Sequence, residues 1–316
     1  MSEDEIVLMG ANDNIQDDMI LPFQLESSHL RGRVIRLGSV LQDILTPHAY
    51  PDPVAQLVGE ACGLSLLLGG MLKFDGVFTL QAQGSGPVRL VVADLTTGGD
   101  LRGMASFDQN AFSDIPAAHP LRASDRSHAL NTLMGTGYLA FTVDQGPHTD
   151  RYQGIVELKE SNLVDGVAHY FDQSEQIDTM IKLACGRVEG LWRAGGVMIQ
   201  RLPVRAEVQT PEQLAQLNED WDRAQALLAT CTPDELIKET LFSNDLLYRL
   251  FHEEGVRVFN PVHLRKGCRC DGDKLSGILK TLSPDDRSHM TVEGKIQMTC
   301  EFCSKTFSFD PQELTS

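Results

Sequence analysis

The 316-residue chain has no apolar run long enough to cross a bilayer. Its most apolar stretch, Ala61 to Leu72, is twelve residues long and follows Glu60. A spanning helix needs about twenty, so a buried helix is expected there and no membrane partner. Basic residues are missing from Met1 to Asp18, which carries Glu3, Asp4, Glu5, Asp13, Asp17 and Asp18. That composition fits neither a secretory signal nor a transit peptide. The expected setting is cytoplasmic and reducing, where clustered cysteines point to metal or redox chemistry rather than structural disulfides. A phosphate-binding loop and a Gly-x-Ser-x-Gly elbow are both absent, and Gly135-Thr136-Gly137 lacks the third glycine of a dinucleotide fingerprint. Excess positive charge is missing too. The formal net charge is −17, which repels a phosphate backbone. From Val256 onward nine Lys/Arg face eight Asp/Glu, a net of +1, so the other −18 lies in residues 1–255. A zinc ribbon that reads nucleic acid shows a basic stripe. None is present, and no nucleic-acid partner is expected.

What the chain does have is four of its seven cysteines in the last fifth, as Cys268-Arg269-Cys270 and Cys300-Glu301-Phe302-Cys303, with twenty-nine residues between the pairs. Two close pairs on two separated turns suit a tetrahedral metal, since each turn supplies two soft thiolates. Zinc is expected over an iron–sulfur cluster, which shows denser cysteine runs. Four thiolates complete the shell, which leaves His263 and His289 as spare candidates and no open position for a substrate. Arg265, Lys266 and Arg269 flank the first pair and are expected to favour its thiolates, with Asp271 and Asp273 partly offsetting them. The C-x-C spacing is unusual for a ribbon, and such a pair is close enough to close on itself as a reducible disulfide. On spacing alone, a plain structural zinc and a redox-sensitive one both remain open. Cys62 on an apolar helix, Cys185 in a strand run and Cys231 between two helices read as core residues.

Composition, 42% hydrophobic and 22% charged, is that of a globular chain with one sizeable core and a smaller appended module. Pro53 to Leu68 reads as a helix ended by Gly69-Gly70. Val77–Gln83 and Val88–Val92 form a hairpin about Gly84 to Pro87, after a turn at Lys73 to Gly76. Tyr138–Val143 and Tyr152–Leu158 repeat that pattern about Asp144 to Pro147. Ser161 is expected to cap a helix through Tyr170, and Tyr170 to Gln176 reads as a helix-to-strand junction despite its carboxylates. Thr179–Cys185 and Val197–Leu202 read as strands around Ala194-Gly195-Gly196. The fold class is therefore α+β. Two capping boxes, Thr210-Pro211-Glu212-Gln213 and Thr232-Pro233-Asp234-Glu235, then open short helices, and Ser243 opens a third that Gly255 closes. The expected organisation is an acidic leader over 1–19, an α+β core domain over 20–207, a helical linker over 208–255 and a zinc module over 256–316.

The cysteine quartet, preceded by Leu250-Phe251-His252-Glu253-Glu254, resembles that of the 33 kDa chaperonin family of redox-regulated holdase chaperones. Lys73-Phe74-Asp75-Gly76, Gly137 to Ala140, Asp144 to Pro147, Tyr152 to Leu158, Tyr170 to Gln176 and Ala194-Gly195-Gly196 resemble that family's core motifs, and the similarity runs from about Leu21 to Asp310. The resemblance implies a cytosolic chaperone without an ATP site or catalytic residues. It implies one zinc on Cys268, Cys270, Cys300 and Cys303 in the reduced, inactive state. It further implies that oxidation forms Cys268–Cys270 and Cys300–Cys303 disulfides, releases zinc and unfolds the module with its linker, and that the activated form, typically a dimer, binds unfolding clients. Isolated helices as short as those of residues 208–255 are marginal in water. Their loosening is expected to expose Leu214, Leu217, Trp221, Leu246, Leu247, Leu250 and Phe251, which otherwise pack as core. Two other readings stand beside this one: a constitutive zinc ribbon that interacts with protein or nucleic acid without switching, and a thiol oxidoreductase.

Overall fold

A computed structural model describes residues 17–69, 76–114, 126–145, 152–159, 162–202 and 210–314. Its centre is a helix held between two sheets. β1 (Met19–Leu25) and β2 (Leu30–Leu37) pair antiparallel, from Met19 opposite Arg36 to Leu25 opposite Leu30. After α1 (Ser39–Leu45) comes α2 (Asp52–Gly69), buried at nearly every position from Val54 onward. A helix apolar on all sides must be surrounded. α2 packs against strands of both sheets, as a buried helix and not a span.

The second sheet begins with the expected hairpin, β3 (Val77–Gly84) and β4 (Val88–Thr96), and extends through β5 (Asp100–Phe107). After α3 (Gln109–Ser113) and α4 (Arg126–Met134), β6 (Gly137–Asp144) pairs with β3, and β7 (Tyr152–Glu157) with β6. The tips expected at Lys73 to Asp75 and at Gly146-Pro147, and the Ser161 cap, lie outside the described residues. α5 (Leu163–Tyr170) is capped by the Asn162 side chain, which accepts from the Asp165 N–H, and runs into a π-turn over Phe171–Glu175.

β8 (Thr179–Val188) and β9 (Leu191–Arg201) complete the first sheet beside β2. Here the sequence reading needs correction. Ala194-Gly195-Gly196 lies inside β9, not between two strands, and the turn falls at Glu189 and Gly190, both with positive φ. The glycine signal has a different physical origin. A Cβ on Gly195 would sit 1.8 Å from the Leu236 carbonyl oxygen, so glycine is needed there for close approach of a neighbouring segment.

That neighbour belongs to α6 (Pro211–Ala229), α7 (Pro233–Ile237) and α8 (Ser243–Phe251), which cover the outer face of the first sheet. Both capping boxes form as expected, Thr210 with Gln213 and Thr232 with Glu235. Trp221, Ala224, Leu228, Leu246, Leu247, Leu250 and Phe251 pack on Phe23, Leu25, Leu30, Val34, Val197 and Ile199. The fully buried Arg36 of β2 donates to the carbonyls of Leu236 (2.6 Å), Lys238 (3.2 Å) and Leu241 (2.6 Å), satisfying the open end of α7.

Three short strands then stitch the chain back onto the core. β10 (Val256–Val258) and β11 (Val262–His263) pair with β1, and β12 (Arg265–Lys266) pairs in parallel with β5 in the other sheet. The remaining residues form α9 (Gly272–Thr281), α10 (Pro284–Met290) and a small antiparallel sheet of β13 (Thr291–Val292), β14 (Lys295–Thr299) and β15 (Thr306–Phe309). Their own core is Leu279, Ile296 and Leu314, too little apolar area to hold such a unit folded without help.

Candidate metal centre

Cys268 and Cys270 follow directly from β12, which is pinned by Arg265 N–H to the Gly99 carbonyl (3.0 Å) and by Gly267 N–H to the Leu101 carbonyl (2.9 Å). Cys300 and Cys303 lie on the β14–β15 turn. Cys300 N–H bonds the Lys305 carbonyl at 2.9 Å, Ser304 N–H bonds the Cys300 carbonyl at 2.8 Å, and Ser304 takes a φ of 57° to close the loop. The two turns face each other. All four Sγ atoms fall within 4.8 Å of one another, with Cys268–Cys300 and Cys270–Cys303 at 3.6 Å. Thiolates around one zinc at about 2.3 Å stand roughly 3.8 Å apart, so the donor set fits a tetrahedral ion. It is the one group of three or more His, Cys, Asp or Glu with ligand spacing among the described residues, and neither His263 nor His289 belongs to it. His289 turns instead to the Asp285 carbonyl at 2.8 Å.

Electrostatics at the site differ from the sequence reading. Burial works against the Cys268 thiolate, yet the Cys270 N–H and the thiols of Cys270, Cys303 and Cys300 outweigh it and bring Cys268 down to about 7. Burial, and then the Cys268 sulfur, push Cys270 up to about 12, and burial also raises Cys300. The flanking cations are committed elsewhere. Arg265 pairs with Asp100 at 2.6 Å, Lys266 Nζ donates to the Asp43 carbonyl at 2.7 Å, and Arg269 reaches Asp94 at 2.5 Å. The thiolate is thus favoured by its neighbours' N–H and S–H groups rather than by a cationic collar.

Cys62, Cys185 and Cys231 are buried away from the quartet, as expected of core residues, and burial pushes Cys62 up to about 12. Five of the seven apolar linker side chains, Trp221, Leu246, Leu247, Leu250 and Phe251, lie in the interface with the first sheet; Leu214 is 48% exposed and Leu217 half-buried. One polar cluster escaped the sequence reading. Buried Glu254 accepts from Arg223 (2.6 Å) and from the hydroxyls of Ser27 and Ser28, tying α6 and the end of α8 to the β1–β2 turn. These hydrogen bonds and the Arg223 charge overcome burial and hold its carboxyl near 2. At the end of α5, Tyr152, Tyr170 and Glu175 hydrogen-bond one another on the wall of a cavity of about 340 Å³ lined by Phe78, Phe141 and Phe171.

Together, the fold is an α+β core with a helix between its sheets, a layer of helices on one outer face, and one small unit that touches both sheets and carries four cysteines spaced so that they could hold a metal ion. The chain belongs to the Hsp33 family of heat-shock chaperones: the family model "Hsp33 protein" matches residues 18–310. It is 40% identical over 305 residues to a 33 kDa chaperonin of Caulobacter vibrioides, covering 94% of this chain and 96% of that one. A 33 kDa chaperonin of Pseudomonas fluorescens is 35% identical, covering 96% and 94%. Among solved structures, the 33 kDa chaperonin (heat shock protein 33 homolog) of Thermotoga maritima shares the fold, with a TM-score of 0.77 over 94% of this chain and 96% of that one at 22% identity. The family is one of chaperones, whose partners are unfolded proteins, and chaperones are not an enzyme class. Among the described residues no helix is long and apolar enough to cross a membrane.

Proposed function

We propose that this protein is a cytoplasmic, ATP-independent holdase switched on by oxidation, with zinc held in the reduced state by Cys268, Cys270, Cys300 and Cys303. The observation that carries this reading is the convergence of four thiols within one coordination shell, in a unit with almost no core of its own. A bound zinc would cross-link the two turns and supply the folding free energy that the small core lacks. Under oxidation each pair, Cys268 with Cys270 and Cys300 with Cys303, gives two electrons to one peroxide. Two thiolates become one S–S bond, and the peroxide takes up two protons from solvent and leaves as two waters. A disulfide sulfur is a poor ligand, so the shell is lost with the thiolates.

The consequence runs along the chain. With β12 and its cysteines released from β5, β10 and β11 keep only their short ladders on β1. α8 has nine residues and α7 five, lengths that persist through packing rather than on their own. Their departure would uncover Trp221, Leu246, Leu247, Leu250 and Phe251 and, on the sheet, Phe23, Leu25, Val34 and Ile199. Leu214 and Leu217 would extend the same surface. An apolar face of that kind binds unfolding chains and pairs with a second copy, which accounts for dimerisation on activation. The charge of −17 keeps loaded complexes apart in solution. The test is light scattering of a heat-denaturing client, with the protein reduced or treated with peroxide under mild heat. Suppression only after oxidation is expected, and equal suppression in both states refutes the switch. Zinc retained through the same treatment would favour a constitutive ribbon.

A further inference from the structure

We propose that Asp94 is a positioning residue for the metal site, seating both cysteine pairs on the core through the residues that lie inside them. The inference rests on the metal reading above and concerns what holds that site in place. Arg269 stands between Cys268 and Cys270, and Phe302 between Cys300 and Cys303. A tetrahedral thiolate shell uses neither side chain. Yet both turn onto one ion pair of the core domain, Arg269 onto Asp94 and Phe302 onto Arg102. Asp94 of β4 is 3% exposed, and its Oδ2 receives Arg269 at 2.5 Å and Arg102 of β5 at 2.6 Å, while Thr79 donates to Oδ1 at 2.7 Å. The Arg102 guanidinium in turn lies 3.8 Å from the centre of the Phe302 ring. His48 completes the seat: its Nε2 is 3.2 Å from the Phe302 carbonyl and its Nδ1 3.3 Å from the Ser304 hydroxyl.

The geometry has a specific consequence. Arg269 and Phe302 meet Asp94 and Arg102 together only while the two turns stand side by side, the arrangement that brings the four Sγ atoms together. Seating and metal retention therefore favour the same conformation, and each stabilises the other by linkage. Burying a carboxylate against two guanidiniums is favourable only with its hydrogen bonds complete. A module that leaves takes one of those partners away, so the seat resists departure until the metal shell itself fails.

The test compares zinc transfer from reduced protein to a chromogenic chelator. Arg269→Gln leaves the Asp94–Arg102–Thr79 contacts intact, and Phe302→Leu removes the ring without touching a sulfur. Both are expected to release zinc roughly tenfold faster than wild type, the effect of losing about one charge-assisted contact. In Asp94→Asn the further effect of Arg269→Gln should nearly vanish, because the two act on one contact. Arg265→Gln removes a neighbouring, mostly exposed ion pair outside the seat and should change release less than about twofold. Limited proteolysis across residues 256–267 reads undocking without reference to activity and should accelerate in Arg269→Gln alone of the two arginine variants. Wild-type release from both Arg269→Gln and Phe302→Leu overturns the seat while leaving the metal reading intact. A wild-type chain that binds no zinc overturns the metal reading itself.

Discussion

Replacing Phe251 by alanine should release the helical layer without any oxidant. Phe251 is 1% exposed and its ring stacks on Phe23 at 6.0 Å between centroids, so one side chain bridges the end of α8 and the centre of β1. Truncating a buried phenylalanine costs about 3–5 kcal/mol. The fall does not spread evenly. α8 has nine residues and no side-chain cap at its N-terminus, so it has little stability apart from this interface. A loss of about 4 kcal/mol raises the undocked population by roughly a thousandfold. The four-cysteine cluster lies outside the apolar cluster that holds Phe251, so zinc proposed to sit there should stay bound. The reduced, zinc-bound variant should therefore suppress client aggregation at levels wild type reaches only after peroxide, and amides of β1 and β9 should exchange faster. Zinc content, client light scattering and amide exchange are measured on one reduced sample. A variant that loses global stability but keeps those amides protected and holds no client would refute the idea that the sheet under α6–α8 is the client surface.

Glu254 gives a pH signature. Its carboxyl is held near 2 against an ordinary 4.5, so its stabilisation is complete above about pH 4.5 and disappears as pH falls toward 2. Half-exposed Arg223 reduces the size of the effect, and the wild-type minus Glu254→Gln difference in unfolding free energy should be about 2 kcal/mol at pH 7, shrinking to near zero at pH 2. A difference independent of pH would show that Arg223, Ser27 and Ser28 do not act through the carboxylate. Once stripped of zinc, the reduced protein should react with an aromatic disulfide reagent quickly at the four module cysteines, and at Cys231 as the helical layer loosens, but slowly at Cys62 and Cys185, which are buried between the sheets; fast reaction at Cys62 and Cys185 would mean an open core. Peptide mapping after peroxide should find Cys268–Cys270 and Cys300–Cys303. Although Cys268–Cys300 and Cys270–Cys303 are the 3.6 Å contacts, cross-pair bridges would tie the two turns together and leave the module seated. Finding them as the main product would contradict the proposed release.

The clustering of the four cysteines was legible in the sequence because its signal is local: two pairs, each within four residues, of a side chain with few other reasons to cluster. The capping boxes at Thr210 and Thr232 were legible for the same reason, since donor and acceptor lie three residues apart. Glycine proved ambiguous. Gly195-Gly196 carries a turn's composition but lies within β9, because the same missing Cβ that permits a turn also permits the Leu236 carbonyl to approach. The cations around the first pair misled for a related reason. Arg265, Lys266 and Arg269 adjoin the thiols in sequence, yet they end on the Asp100 carboxylate, the Asp43 backbone carbonyl and the Asp94 carboxylate. Arg269 and Asp94 are 175 positions apart, and no periodicity or spacing reports such a contact.

That long-range wiring explains how a unit so small could control a face so distant. Between Glu254 and Cys268 the chain makes only β10, β11 and β12, of three, two and two residues. Each adds to the edge of a sheet whose interior does not need it. Strands this short close few hydrogen bonds for the chain entropy they cost, so none holds by itself. They stay because both ends are fixed: α8 by Phe251, Leu250 and Glu254, and the cysteine turns by the contacts of Arg269 with Asp94 and of Phe302 with Arg102. Removing either end leaves the other to carry three marginal ladders. The chain is thus wired for failure at the cysteine end to reach the helical face, and the Phe251 and Arg269 substitutions probe the two ends separately.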